Sequence, residues 1–119
     1  MSSGKELVRD LVQRFPQFDP VYRQHLEDNF GELLPHVIFW DLLQLEVASF
    51  IADGSAELDW RGVLDVLAES YAAGDVEVRG IIAVSFLEDL PFAHEDGYGI
   101  VEALPETLKD VLAKVRTAG

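Results

Sequence analysis

Hydrophobic residues recur along this chain mainly at helical spacing, and turn residues divide them into about six segments. In one segment Trp60, Val63, Leu64, Leu67 and Tyr71 occupy positions i, i+3, i+4, i+7 and i+11, which places them on one face of a helix. No segment shows the alternation of apolar and polar residues that is typical of a half-buried strand. The pattern therefore predicts an all-α protein without a sheet, built as a compact bundle or as antiparallel helical pairs stacked as in HEAT repeats.

Proline, glycine and aspartate mark where these helices begin and end. The predicted helices cover approximately residues 5–14, 20–31, 35–54, 60–74, 76–90 and 105–117. Asp59 and Asp75 are placed to cap the fourth and fifth helices, because an aspartate side chain accepts hydrogen bonds from the free N–H groups at a helix start. The third and fifth helices are apolar around most of their surface, so we expect both at the centre of the fold. Trp40 and Trp60 could serve as anchors at an interface, where tryptophan is enriched, but both fall on apolar stripes, so we expect them in the core.

The composition is that of one globular domain covering residues 1–119. Apolar residues make up 49% of the chain, which is enough to fill a core. The absence of cysteine excludes disulfides, thiolate metal sites and cysteine nucleophiles. The most apolar run, residues 33–52, is interrupted by His36, Asp41 and Glu46, which would be costly in a bilayer. We therefore expect a buried helix there rather than a membrane span, and a cytoplasmic protein, since the N-terminus lacks the apolar core of a signal peptide.

Acidic residues outnumber basic ones by 22 to 9, which gives a formal net charge of −13. Residues 24–108 contain 18 of these acids and only two bases, Arg61 and Arg79. The negative electrostatic potential of such a charge distribution repels nucleic acids and anionic membranes and attracts basic proteins. We therefore predict a basic protein partner and neither nucleic-acid nor membrane binding. The alternative is that the charge only keeps the protein soluble.

The strongest candidate for a partner-binding surface is the junction between the second and third helices, where acidic and aromatic residues gather. Acids would steer a basic partner towards this surface, and aromatic side chains would supply lasting affinity. The residues predicted to bind the partner are Tyr22, Glu27, Asp28, Phe30, Glu32, Asp41 and Glu46.

Two groups of histidine and carboxylate residues are candidates for a metal or proton-transfer site. Imidazole and carboxylate groups bind divalent cations when several of them converge on one point. The first group is His25, Glu32, His36 and Asp41, and the second is His94, Glu95 and Asp96. The alternatives are that Glu32 and His36 interact with the nearby backbone and that the second group forms a solvated turn. We predict no bound cofactor.

Residues 25–29 (HLEDN), 31–36 (GELLPH) and 83–91 (AVSFLEDLP) resemble stretches of a group of small, acidic, helical bacterial proteins of unassigned function. The resemblance implies a bacterial, cytoplasmic and all-helical protein. It implies no catalytic residue, since none is known for the group. Some small acidic proteins of similar appearance are immunity proteins, which neutralise toxins.

Three functions remain open at the level of the sequence. The first is an acidic protein-binding module, in one form an immunity-type inhibitor of a basic toxin or enzyme. The second is an adaptor or scaffold whose partner is not basic. The third is a metal-binding protein or enzyme that uses one of the histidine groups. We rank them in that order, so that an enzyme is the less expected outcome, and we expect a monomer or a weak dimer.

Overall fold

The computed structural model describes residues 3–52 and 57–117, and every regular element in these two ranges is helical. The elements are α1 (Ser3–Arg14), a 3-10 turn (Pro16–Phe18), α2 (Asp19–Asp28), α3 (Pro35–Ala52), α4 (Trp60–Ala73), α5 (Val76–Gly80), a π-helical segment (Ile81–Leu87), α6 (Gly99–Glu102) and α7 (Glu106–Thr117). The prediction of an all-α protein is therefore confirmed. Four details differ from the prediction: a 3-10 turn precedes α2, α2 ends at Asp28 rather than near residue 31, the fifth helix consists of α5 and the π-helical segment, and α6 is a single turn where no helix is predicted.

Two aspartates begin helices in the way that the sequence predicts. Oδ1 of Asp59 accepts a hydrogen bond from the N–H of Gly62 at 3.1 Å, and Oδ1 of Asp75 accepts one from the N–H of Val78 at 3.0 Å. Each bond satisfies a donor that has no partner within its own helix. Both predicted caps are confirmed. The bond from Val78, together with one from the hydroxyl of Ser3, lowers the pKa of Asp75.

Helix α3 lies at the centre of the fold, as its apolar surface predicts. It packs against α1, α2, α4 and the π-helical segment, and Ile38, Phe39, Leu42 and Leu43 are buried. Removing each of these side chains from water contributes roughly 2 kcal/mol to the free energy of folding. The rings of Phe39 and Phe86 meet edge-to-face with their centroids 6.4 Å apart. In the part of the chain that the structure describes, no helix is both long and apolar enough to cross a membrane.

The two tryptophans differ in their burial. Trp60 is partly buried and meets Phe50 edge-to-face, with the ring centroids 4.9 Å apart. The prediction that Trp40 lies in the core is wrong, because this side chain is 51% exposed. Helix α3 is apolar around most of its surface, whereas the neighbouring helices cover only part of it. Trp40 falls on the uncovered part, beside the exposed side chains of Val37 and Gln44.

Candidate functional site

A groove with a volume of about 830 Å³ runs between α2 and α3. Its apolar walls include Val21, Val37 and Leu45, and the carboxylates of Asp28 and Asp41 also line it. Asp28 is the last residue of α2, whereas Asp41 lies almost two turns into α3, so the fold brings together two acids that are distant in sequence. An apolar groove with carboxylates can hold a segment that carries both aliphatic and cationic side chains.

The turn between α2 and α3, residues 29–34, is held in place by His25. Nε2 of His25 accepts a hydrogen bond from the N–H of Leu34 at 3.0 Å, and the side-chain amide of Asn29 donates to the carbonyl oxygen of His25 at 2.8 Å. The imidazole is only 3% exposed. Because Nε2 accepts the hydrogen bond from Leu34, His25 shapes the end of the groove. Among the described residues it does not come together with other histidine or acidic side chains in a group that could hold a metal ion.

Phe30 is the most exposed residue of this turn and has an unusual backbone conformation. Its side chain is 100% exposed and its φ is 56°, in the left-handed region. The N–H of Gly31 donates to the carbonyl oxygen of Leu26 at 2.7 Å, which is the Schellman bond that closes α2. Phe30 therefore occupies the position of this motif at which glycine is usual, and a residue with a side chain there costs about 1–2 kcal/mol. Because the side chain of Phe30 is fully exposed, packing does not offset this cost.

Three other residues predicted to bind a partner lie near the groove without lining it. Glu27 and Glu32 are exposed on either side of the turn, so both add negative charge to the same end of the molecule. Tyr22 is partly buried and packs against the hydrophobic core. Its ring is therefore mainly a structural element of α2, with only part of its surface available to a partner.

Among the residues predicted to bind a partner, Glu46 differs most from the prediction in its position. Its side chain is 0% exposed, and within the described ranges neither carboxylate oxygen has a hydrogen-bond partner. Burial, with a smaller effect from the nearby charge of Asp59, raises the pKa of Glu46 to about 9. The group is therefore protonated at neutral pH and cannot contact a partner from its buried position. The assignment of Glu46 to the partner-binding surface is wrong.

The predicted metal clusters do not form among the described residues, where no group of three histidine, aspartate or glutamate side chains could hold an ion. Nδ1 of His36 lies 2.6 Å from Oγ of Ser85, so this histidine joins α3 to the π-helical segment. His94 stacks on Phe92 with the ring centroids 6.4 Å apart, and Oε1 of Glu95 accepts a hydrogen bond from the N–H of Phe92 at 2.8 Å. The second group is thus a turn stabilised by its own contacts.

The structure adds Val37 and Leu45 to the candidate surface and exposes Trp40, for which a place at an interface was the alternative to the core. Val37 and Leu45 line the groove, and Trp40 lies half-exposed on the same helix. A signal for them was present, since they flank Asp41 and Gln44, the polar positions of an otherwise apolar helix. Apolar residues next to the polar stripe of such a helix are the ones that tertiary packing can leave exposed.

Comparison with known proteins identifies a family but no function. Residues 8–117 match the protein family described as "Domain of unknown function (DUF7674)". The stretches that carry the resemblance to small proteins of unassigned function all lie within this range. No curated protein and no solved structure matches the chain.

Proposed function

We propose that this chain, which belongs to the DUF7674 family of unknown function, is a protein-binding module that holds a basic segment of a partner protein in the groove between α2 and α3. The observation that carries the proposal is the combination of apolar walls with the carboxylates of Asp28 and Asp41 in one groove. Aliphatic parts of the partner would pack against Val37 and Leu45. Its cations would meet the two carboxylates, which sets the orientation of the segment.

The charge around the groove supports a basic partner. Between Arg23 and Arg61 the sequence contains eight acids and no base, and seven of these acids remain when the buried, protonated Glu46 is left out. Arg23 itself contacts Oδ2 of Asp19 at 2.7 Å, so its charge is balanced within α2. The remaining negative field would steer a cationic partner to this side of the molecule and raise the rate of association, an effect that weakens as salt screens it.

An immunity-type inhibitor of a basic toxin or enzyme is the form of this function that agrees with the small size, the charge and the resemblance to small acidic bacterial proteins. In that form the module would work in the cytoplasm as a monomer or weak dimer, and it would block its target by covering a cationic surface. An adaptor for a partner that is not basic would not need the carboxylates of the groove.

A titration followed by two-dimensional amide NMR tests the proposal. The probe is an amphipathic peptide of leucine and arginine, and a peptide with glutamate at each arginine position is its control. The test protein carries Asp28→Lys and Asp41→Lys. The matched control protein carries Asp65→Lys and Glu69→Lys, which make the same change in net charge on the exposed side of α4.

We expect the basic peptide to shift the amide signals of the groove and the acidic peptide to leave them unchanged. Each groove reversal replaces an attraction by a repulsion and should reduce the binding free energy by up to about 1 kcal/mol. The two reversals together should therefore weaken binding roughly tenfold. The α4 pair should weaken it much less. Equal losses from the two pairs would mean that the peptide responds only to net charge, and the proposal would then be rejected.

A further inference from the structure

We infer that a second cleft, on the neighbouring side of α3, receives an arginine or lysine side chain of the same basic partner, with Trp40 as the surface on which the cation rests. The inference depends on the proposed function and extends it, because it names a specific feature of the partner. It concerns residues outside the α2–α3 groove and can fail while the groove still binds.

The cleft lies between α3 and the loop that follows the π-helical segment, and its volume is about 270 Å³. This volume suits one side chain rather than a whole helix. Its lining combines apolar surface with three carboxylates: Trp40, Val47, Pro91, Asp89, Glu95 and Asp96. Because Trp40 is half-exposed, part of its ring is open to a ligand.

The loop wall of the cleft is built into the fold. Arg116 donates to the backbone carbonyl oxygens of Leu90 and Pro91, and its guanidinium lies 4.1 Å from the centre of the Phe92 ring. At the other end of the loop, Gly97 has a φ of 86° and approaches Val47 so closely that a Cβ atom would lie 2.8 Å from its Cγ1. The loop is therefore fixed at both ends, and a ligand would bind without first ordering it.

The chemistry of the lining selects a cation with an aliphatic stem. An arginine or lysine head group is attracted to the face of tryptophan, and nearby carboxylates add charge complementarity. Glu95 already accepts a hydrogen bond from the backbone of Phe92, whereas Asp89 and Asp96 form no ion pair with any residue in the described ranges. These two carboxylates are therefore the ones available to the incoming cation.

Trp60, the other tryptophan, has a cationic side chain of the same protein next to its ring. The guanidinium of Arg61 lies 4.5 Å from the centre of the Trp60 ring. Within the same described part of the chain, no arginine lies over Trp40. A partner would supply at Trp40 what Arg61 supplies at Trp60.

The cleft and the groove belong to one continuous surface. Gln44 lines both of them, and Asp41 in the groove is the next residue after Trp40. A partner segment that lies in the groove can therefore cross α3 and place one side chain in the cleft. This continuity makes the same partner the occupant, rather than a separate small cation.

The test follows the indole N–H signals of Trp40 and Trp60 in NMR titrations with the leucine–arginine peptide. A second peptide replaces each arginine by citrulline, which has nearly the same shape but no charge. We expect the arginine peptide to shift the Trp40 indole signal and to leave that of Trp60 in place, while the citrulline peptide shifts neither. Trp40→Leu should weaken binding about two- to fivefold, and Trp40→Phe, which keeps an aromatic face, should weaken it less.

Four results would overturn the inference, and they differ in what they say about the proposed function. Shifts of groove amides without a shift of the Trp40 indole, or equal Trp40 shifts with the citrulline peptide, would reject the cleft and leave the groove. The absence of all shifts would reject both. A Trp40 shift that depends on protein concentration alone would identify a second copy of this chain as the occupant and also reject the inference.

Discussion

Replacement of Glu46 by glutamine should make the stability of the protein much less dependent on pH. The pKa of Glu46 is about 9 in the folded protein against an ordinary value of 4.5, because the carboxyl group is buried and lies near Asp59. A folded-state pKa above the unfolded one means that the folded protein holds the proton more tightly. The associated stability is complete below pH 4.5 and is lost as the pH rises through 9.

The size of the effect follows from the difference between the two pKa values. Each pH unit between them lowers the free energy of unfolding by about 1.4 kcal/mol. At neutral pH the wild-type protein has therefore lost roughly 3 kcal/mol relative to pH 4.5, a substantial part of the about 5–15 kcal/mol that stabilises a typical domain. Glutamine has nearly the same shape as glutamic acid but does not titrate, so Glu46→Gln avoids this loss.

The measurement is urea unfolding, followed by tryptophan fluorescence, of the wild type and Glu46→Gln over a series of pH values. Other titrating groups act alike in both proteins, so the difference between their free energies of unfolding isolates Glu46. We expect that difference to grow in favour of glutamine as the pH rises from 4.5 towards 9. Glu69→Gln, at an exposed position on α4, is the matched control for the loss of one carboxyl group.

A difference that stays constant across this pH range would refute the reasoning, since Glu46 would then titrate alike in the folded and unfolded chains. Glu46→Met provides a second comparison. Neither oxygen of Glu46 has a hydrogen-bond partner within the described ranges. An apolar side chain of similar length should therefore add about 1–3 kcal/mol beyond the glutamine variant, which still buries polar atoms.

Two further predictions concern the turn between α2 and α3. Phe30→Gly should raise the free energy of unfolding, measured in urea, by about 1 kcal/mol, because glycine adopts a positive φ without strain. Phe30→Ala keeps a Cβ atom and should raise the free energy of unfolding less. An equal increase in both variants would mean that the effect comes from removing the exposed ring and not from the backbone. His25→Ala should lower the free energy of unfolding by about 2 kcal/mol, because the N–H of Leu34 loses its acceptor. His94→Ala, at an exposed loop position, should change it by less than about 0.5 kcal/mol, and a similar loss in both variants would contradict the role given to His25.

Much of the helical framework could be predicted from the sequence because it depends on neighbouring residues. The spacing of apolar residues indicates α1, α3, α4 and α7, and the caps at Asp59 and Asp75 involve N–H groups only three residues away. The acidic character of the α2–α3 junction is likewise present in the order of the residues. A local pattern could not distinguish the π-helical segment from a continuing α-helix, since both are apolar helices with the same side chains.

Tertiary structure alone decided which sides of α3 are covered. Apolar residues surround most of α3 and leave only a narrow polar stripe at Asp41 and Gln44, so its sequence does not reveal that Glu46 points into the protein. The roles of His25 and His36 also depend on partners brought near by folding, namely the backbone of Leu34 and the hydroxyl of Ser85. Packing places charged and aromatic groups in space, and for that reason the site differs from the sequence prediction more than the helices do.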